Sequence, residues 1–119
     1  MTSPSPKTSQ DPLAQELKDW IDREADRDFK LGDLAHKFDL HPVQLTRRFQ
    51  KAFGVSPSRY VNSIRIEKAK SLLIETNYTL EHIAELCGYH SGFYFSRIFT
   101  QFTKMNPSTF RRIHRLHTL

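Results

Sequence analysis

Apolar residues recur along this chain every three or four positions, the period of an α-helix that buries one stripe. Leu13, Leu17, Trp20 and Ile21 form the first stripe and predict a helix from about Pro12 to Ala25. A short helix is expected near Gly32–Phe38, with Leu34, Ala35 and Phe38 inward. Leu45, Phe49 and Phe53 share one face of a helix running from about Pro42 to Phe53. A long helix follows from Pro57 to Glu75, with Tyr60, Val61, Ile64 and Leu72 mostly inward. Three more are expected: a short one over Leu80–Cys87, one over Ser91–Phe102 carrying Phe95, Phe99 and Phe102, and a last one starting at Pro107 with Phe110 and Ile113. Strand signals are missing, with no sustained alternation and no Asn-Gly or Asp-Gly hairpin turn. The expected fold class is therefore all-α.

Punctuation agrees with the periodicity. Asp11-Pro12, Ser56-Pro57 and Asn106-Pro107 each set a capping side chain before a proline. The polar side chain accepts from free backbone N–H groups, and proline suits a first turn where its missing N–H has no partner anyway. Thr79 and Ser91 are further cap candidates, and Gly54 and Gly88 are expected to close helices.

Two stretches of the chain resemble each other: LGDLAHKFDLHPVQLTRRFQKAFGVSPSRY from Leu31 to Tyr60, and LEHIAELCGYHSGFYFSRIFTQFTKMNPSTF from Leu80 to Phe110. Arg47 and Phe49 match Arg97 and Phe99, Ser56-Pro57 matches Asn106-Pro107, and one extra residue sits in the second turn. Each copy reads as short helix, tight turn, longer helix, which is the layout of a helix-turn-helix whose second helix lies in the DNA major groove. Small Ala35 and Ala84 suit the close crossing of the paired helices. Side chains not needed for packing on the longer helices face outward: Val43, Gln44, Thr46, Arg47, Gln50 and Lys51 in the first copy, and Gly92, Phe93, Tyr94, Ser96, Arg97 and Gln101 in the second. Arginine can bond guanine bidentately, glutamine can pair with adenine, and an apolar group can touch a thymine methyl. Lys51, Arg59 and Arg65 are better placed for phosphates, which set register.

Charge adds to this picture through its distribution. The 119-residue chain carries a net charge of +5, but residues 1–33 hold five basic and eight acidic side chains while residues 34–70 hold eight basic and two acidic. The basic charge thus concentrates in the middle of the chain, and a basic face attracts polyanions, nucleic acid above all. The competing reading is a solvated basic surface. Neither Pro42 to Phe53 nor Ser91 to Phe102 contains an acidic residue, which a purely protein-binding helix-turn-helix would tolerate.

The motifs IAELCGYHSGFYFSRIFTQFTKMNPSTFRR from Ile83 to Arg112, Leu45-Thr46-Arg47-Arg48-Phe49, and Phe53-Gly54-Val55-Ser56-Pro57 resemble the DNA-binding domain of the AraC/XylS family of bacterial transcription regulators, with a match from about Leu13 to Arg115. The Ser-, Thr- and Pro-rich residues 1–12 read as a disordered tail. The resemblance implies seven helices, arranged as a first helix-turn-helix subdomain over 13–56, a linker helix over 57–75, and a second subdomain over 76–119. It implies two recognition helices about one DNA turn apart, entering successive major grooves from a single monomer. The base-reading positions it implies are Val43, Thr46 and Arg47, then Gly92, Phe93, Tyr94 and Arg97. Gln44, Gln50, Ser96 and Gln101 join Lys51, Arg59 and Arg65 as expected phosphate contacts. Double-stranded DNA is the implied partner, with RNA polymerase as a second, and activation is the family's habit. Many members add an N-terminal sensor and dimer domain; this domain by itself is expected to be a monomer. Two departures stand out. Lys104 occupies the place of the family's usual glycine, where it would strain a left-handed cap unless the turn differs. Thr100-Gln101 stands where two lysines are common.

Other chemistry has little support. There is no phosphate-binding glycine loop, dinucleotide turn, nucleophile elbow or zinc spacing, so neither an enzyme nor a cofactor or metal site is expected. The one cysteine, Cys87, reads as a buried small hydrophobe without a catalytic base. His41 and His90 take matching turn positions, and His114 and His117 sit three apart near the C-terminus. Arg48 and Arg111-Arg112 read as solvated surface. Phe93 and Tyr94 either pack or lie exposed on the DNA face. No apolar run approaches the roughly 20 residues that span a bilayer, and a cytoplasmic, nucleoid location is expected. The rival function is a helix-turn-helix module used for protein–protein contact.

Overall fold

The structure, a computed structural model, describes residues 10–118, with side chains through Arg115. Most of the expected tail, residues 1–9, lies outside the described residues, as do the side chains of Leu116 and His117. Seven helices follow in order: α1 (Pro12–Glu24), α2 (Leu31–Lys37), α3 (Pro42–Phe53), α4 (Pro57–Glu75), α5 (Leu80–Leu86), α6 (Gly92–Thr103) and α7 (Pro107–Thr118). No strand occurs among the described residues.

The caps do what their sequence suggests. Asp11 accepts from the N–H groups of Leu13 and Ala14 at 3.1 and 3.2 Å. Ser56 accepts from Arg59 at 3.2 Å, and Asn106 accepts from Thr109 at 2.8 Å. Each leaves a proline buried or exposed at the first helical position, where a missing N–H costs nothing.

The chain divides into two compact units. The described part of the first comprises residues 10–24 and 29–61. Its core joins Leu17 and Ile21 of α1, Leu34 and Ala35 of α2, and Leu45 and Phe49 of α3, all buried. The Phe49 ring meets those of Phe53 and Tyr60, with centroids 4.8 and 5.6 Å apart. At the edge of this cluster Lys18 bonds Asp22 at 3.0 Å and stands 5.3 Å from the Tyr60 ring centre. Burial alone would lower the Lys18 ammonium, but Asp22 and Tyr60 outweigh it and hold the group above its ordinary range.

The second unit comprises Ala25–Asp28 and the residues from Asn62 onward. Ile66, Ala69 and Leu73 of α4, Ile83 and Ala84 of α5, and Phe95 and Phe99 of α6 make its core with Cys87, Tyr89 and Phe110. The rings of Tyr89, Phe95, Phe99 and Phe110 run in series with centroid spacings of 5.7, 5.7 and 5.2 Å. Within this aromatic seam the Cys87 thiol is fully buried, and burial pushes it up to about 11. It is a packing group, not a nucleophile.

The inward face of α4 differs from the stripe read in the sequence. Tyr60, Ile64 and Leu72 are only partly buried, and the buried residues of the helix are Pro57, Val61, Arg65, Ile66, Ala69 and Leu73. The helix contributes its first residues to one unit and the rest to the other, so its apolar positions do not keep one stripe.

Candidate nucleic-acid interface

Each unit builds its helix-turn-helix from the same backbone devices. In the first, Leu40 returns an N–H to the carbonyl of Ala35 at 2.8 Å, and Asp39 takes a left-handed conformation (φ 56°). In the second, Tyr89 bonds Ala84 at 2.9 Å and Gly88 takes φ 96°. Asp39 is among the few side-chain types that tolerate this region. Gly88 has no substitute: a Cβ there would lie 2.9 Å from the carbonyl oxygens of both Asp26 and Arg27.

The longer helices, α3 and α6, are then capped by side chains at equivalent places. His41 Nδ1 accepts from Val43 at 3.3 Å, while the Gln44 carboxamide oxygen accepts from the His41 N–H at 3.0 Å. Ser91 accepts from Tyr94 at 3.1 Å. His41 thus serves the fold as a cap, and His90 sits 3.1 Å from the Asp28 carboxylate.

Capping fixes which side chains each helix turns outward. On α3, Val43, Gln44, Arg47, Gln50 and Lys51 are exposed and Thr46 is half-buried. On α6, Phe93, Tyr94, Arg97 and Gln101 are exposed and Ser96 is half-buried. Val43 and Phe93 occupy the second position of their helices and are 57% and 76% exposed, unusual for apolar groups. Neither Arg47 nor Arg97 has a hydrogen-bond or ion-pair partner among the described residues. Phe93, Ser96, Arg97, Thr100 and Gln101 line an open recess of about 350 Å³ along α6. Thr100, noted in the sequence only as a departure from a common lysine, matches Gln50 of the first copy. Arg59 lies exposed in the first turn of α4.

Two expected contacts are corrected. Arg65 is only 8% exposed, and its guanidinium donates to the carbonyls of Ala25 at 2.6 Å and Arg27 at 2.9 Å while its carbon centre lies 5.1 Å from the Tyr89 ring centre. Burial lowers it from its ordinary value, and no face remains for a phosphate. Gly92 is buried beneath Glu81, whose carboxylate accepts its N–H at 3.2 Å, so it offers no surface to a base. Two expected surface arginines are likewise engaged. Arg48 grips Asp11 through Nε and Nη2 at 3.2 and 2.8 Å, and Arg111 bonds the carbonyls of Leu73 and Thr76 at 3.0 and 3.2 Å. No cluster of three potential metal ligands occurs among the described residues, and none of their helices is long and apolar enough to cross a membrane.

Comparison with known proteins follows the same lines. A family profile described as "Helix-turn-helix domain" matches residues 34–113. The chain is 31% identical over 100 residues to the uncharacterized HTH-type transcriptional regulator YijO of Escherichia coli (strain K12), spanning 84% of this chain and 35% of that protein. It is 34% identical over 84 residues to the HTH-type transcriptional activator RhaR of Yersinia pestis bv. Antiqua (strain Angola), spanning 71% of this chain and 29% of that protein. The chain therefore spans about a third of the length of these curated relatives. Among solved structures, the C-terminal domain of AraT, a response regulator from Geobacillus stearothermophilus, superimposes with a TM-score of 0.82 at 29% identity, covering 89% of this chain and 88% of that one. The DNA-binding domain of AdpA, a global transcriptional factor solved in complex with a target DNA, superimposes with a TM-score of 0.79 at 25% identity, covering 91% of this chain and 96% of that one.

Proposed function

The chain belongs to the AraC-type helix-turn-helix family of DNA-binding transcription regulators, and on that premise we propose that it reads a specific double-stranded sequence with α3 and α6, each in a major groove. The observation that carries this reading is the pair Arg47 and Arg97: two exposed arginines, repeated fifty positions apart on equivalent helices, with no partner among the described residues. An uncommitted guanidinium beside an exposed apolar group on a helix free of acids suits a guanine edge next to a thymine methyl.

Val43, Thr46 and Arg47, with Phe93, Tyr94 and Arg97, are the proposed base readers. Gln44, Gln50, Lys51, Arg59, Ser96 and Gln101 are the proposed phosphate contacts, which fix register without carrying sequence information. Activation, as in the relative named an activator, and a contact with RNA polymerase in the bacterial cytoplasm complete the reading. As one copy of this domain the chain acts as a monomer with two reading heads.

Selection from a random duplex library of about 25 base pairs at physiological salt tests it. Two conserved blocks with centres about 10 base pairs apart are expected. One block would confine base reading to a single unit. Binding without any enriched sequence would overturn the reading and favour a protein partner.

A further inference from the structure

The two units end their second helices with the same turn but not the same residue. Gly54 closes α3 at φ 75°, ψ 7°, and its N–H bonds the Gln50 carbonyl at 2.8 Å. Lys104 closes α6 at φ 64°, ψ 20°, and its N–H bonds the Thr100 carbonyl at 2.8 Å. The turn is the same, with a lysine where the first unit has glycine. Left-handed backbone suits glycine, and a side chain with a Cβ is strained there. Among the described residues Lys104 and Asp39 are the non-glycine positions with positive φ. Asp is commonly tolerated in that region, whereas lysine is not among the residue types enriched there.

A strained residue at a functional surface calls for a reason in the chemistry of that surface. The outward stripe of α3 reads Val43, Arg47, Lys51 and then Gly54. The matching stripe of α6 reads Phe93, Arg97, Gln101 and then Lys104. The first unit has its second cation on the helix and glycine in the turn. The second unit has Gln101 at the matching position and carries its cation three residues later, at Lys104. The Lys104 side chain is exposed and its ammonium lies 3.2 Å from the carbonyl oxygen of Gln101, so it folds back toward the position that lacks charge.

We propose that Lys104 is a DNA-phosphate contact of the second unit, standing in for the cation absent at position 101 and held there against the backbone preference of its own turn. The inference rests on the DNA-binding reading above and adds a residue to it. Its mark is an opposition between stability and binding, because the same side chain strains the fold and holds the ligand.

The test compares the full chain with two variants, Lys104→Gly and the double variant Gln101→Lys with Lys104→Gly. Melting is followed by circular dichroism, and affinity for a selected duplex by fluorescence anisotropy across a salt series. Lys104→Gly is expected to raise the melting temperature by about 3–6 °C, since it relieves the left-handed strain. It should also bind DNA several-fold more weakly, with a log–log salt slope shallower by about 0.9. The double variant should keep the higher melting temperature and recover the parental slope. A Lys104→Gly variant with unchanged affinity and slope would overturn the proposal, whatever its stability. So would a double variant whose slope stays shallow, because the cation would then not be interchangeable between the two positions. A parent chain that binds no duplex at all fails earlier, at the DNA-binding reading itself.

Discussion

The guanidinium of Arg65 is fixed to the backbone of Ala25, with Nε 2.6 Å from the carbonyl oxygen, and a second nitrogen reaches Arg27 at 2.9 Å. The planar fork satisfies two carbonyls of a non-helical segment that has no ladder of its own. Arg65→Ala strands those acceptors and should cost about 2–4 kcal/mol of stability. Arg65→Lys should recover only part, because an ammonium lacks the fork. Urea unfolding measures both. Near-parental stability in Arg65→Ala, together with a shallower salt slope for DNA, would return the residue to the phosphate contacts.

Arg47 stands at the centre of the outward face of α3 with its guanidinium uncommitted. Arg47→Ala should weaken binding to the selected site by about 1–3 kcal/mol and relax preference at one base pair. Competition between single-substitution duplexes reads this out. Equal weakening on every sequence would make Arg47 a backbone contact.

Phe93 is the most exposed large apolar side chain described, on the rim of the α6 recess. If it meets a thymine methyl, replacing that thymine by uracil should weaken binding of the parent chain several-fold and leave Phe93→Ala indifferent. Parent and variant responding alike to uracil would exclude the contact.

Acid should loosen both units through two carboxylates. The Lys68 ammonium 2.7 Å from Asp26 holds that carboxyl below its ordinary range, and Arg48 does the same for Asp11. A folded value below the unfolded one means that each pair stabilises fully above the unfolded value of about 3.9 and loses its contribution as pH falls through the folded value. The pairs are partly solvated, so each effect is small and fades with salt. In low salt the melting temperature should drop below about pH 4, and an Asp11→Asn, Asp26→Asn double variant should drop less steeply. Equal slopes for parent and variant would remove both pairs from the acid response.

Most of the fold was legible because its signals are local. Proline after a capping side chain marks three helix starts, and Leu45 with Phe49 announces a buried face by spacing alone. The duplication was equally plain, since Arg47 and Arg97 stand in the same frame of repeated residues. What escaped were contacts made far along the chain. Arg65 resembles a phosphate ligand until Ala25, forty residues earlier, is brought against it. Gly92 looks like a reading position until Glu81 closes over it. Lys104 posed two options, a strained cap or a different turn, and only backbone angles could choose between them.

Gly88 lies against the carbonyls of Asp26 and Arg27, and with them four residues between α1 and α2 belong to the second unit. The second unit thus draws on a segment that precedes the first repeat in the sequence. A genetic cassette cut at the repeat boundary would carry off a second head missing part of its own wall. On the proposed reading, single substitutions at exposed positions such as Arg47 and Arg97 leave this wall untouched.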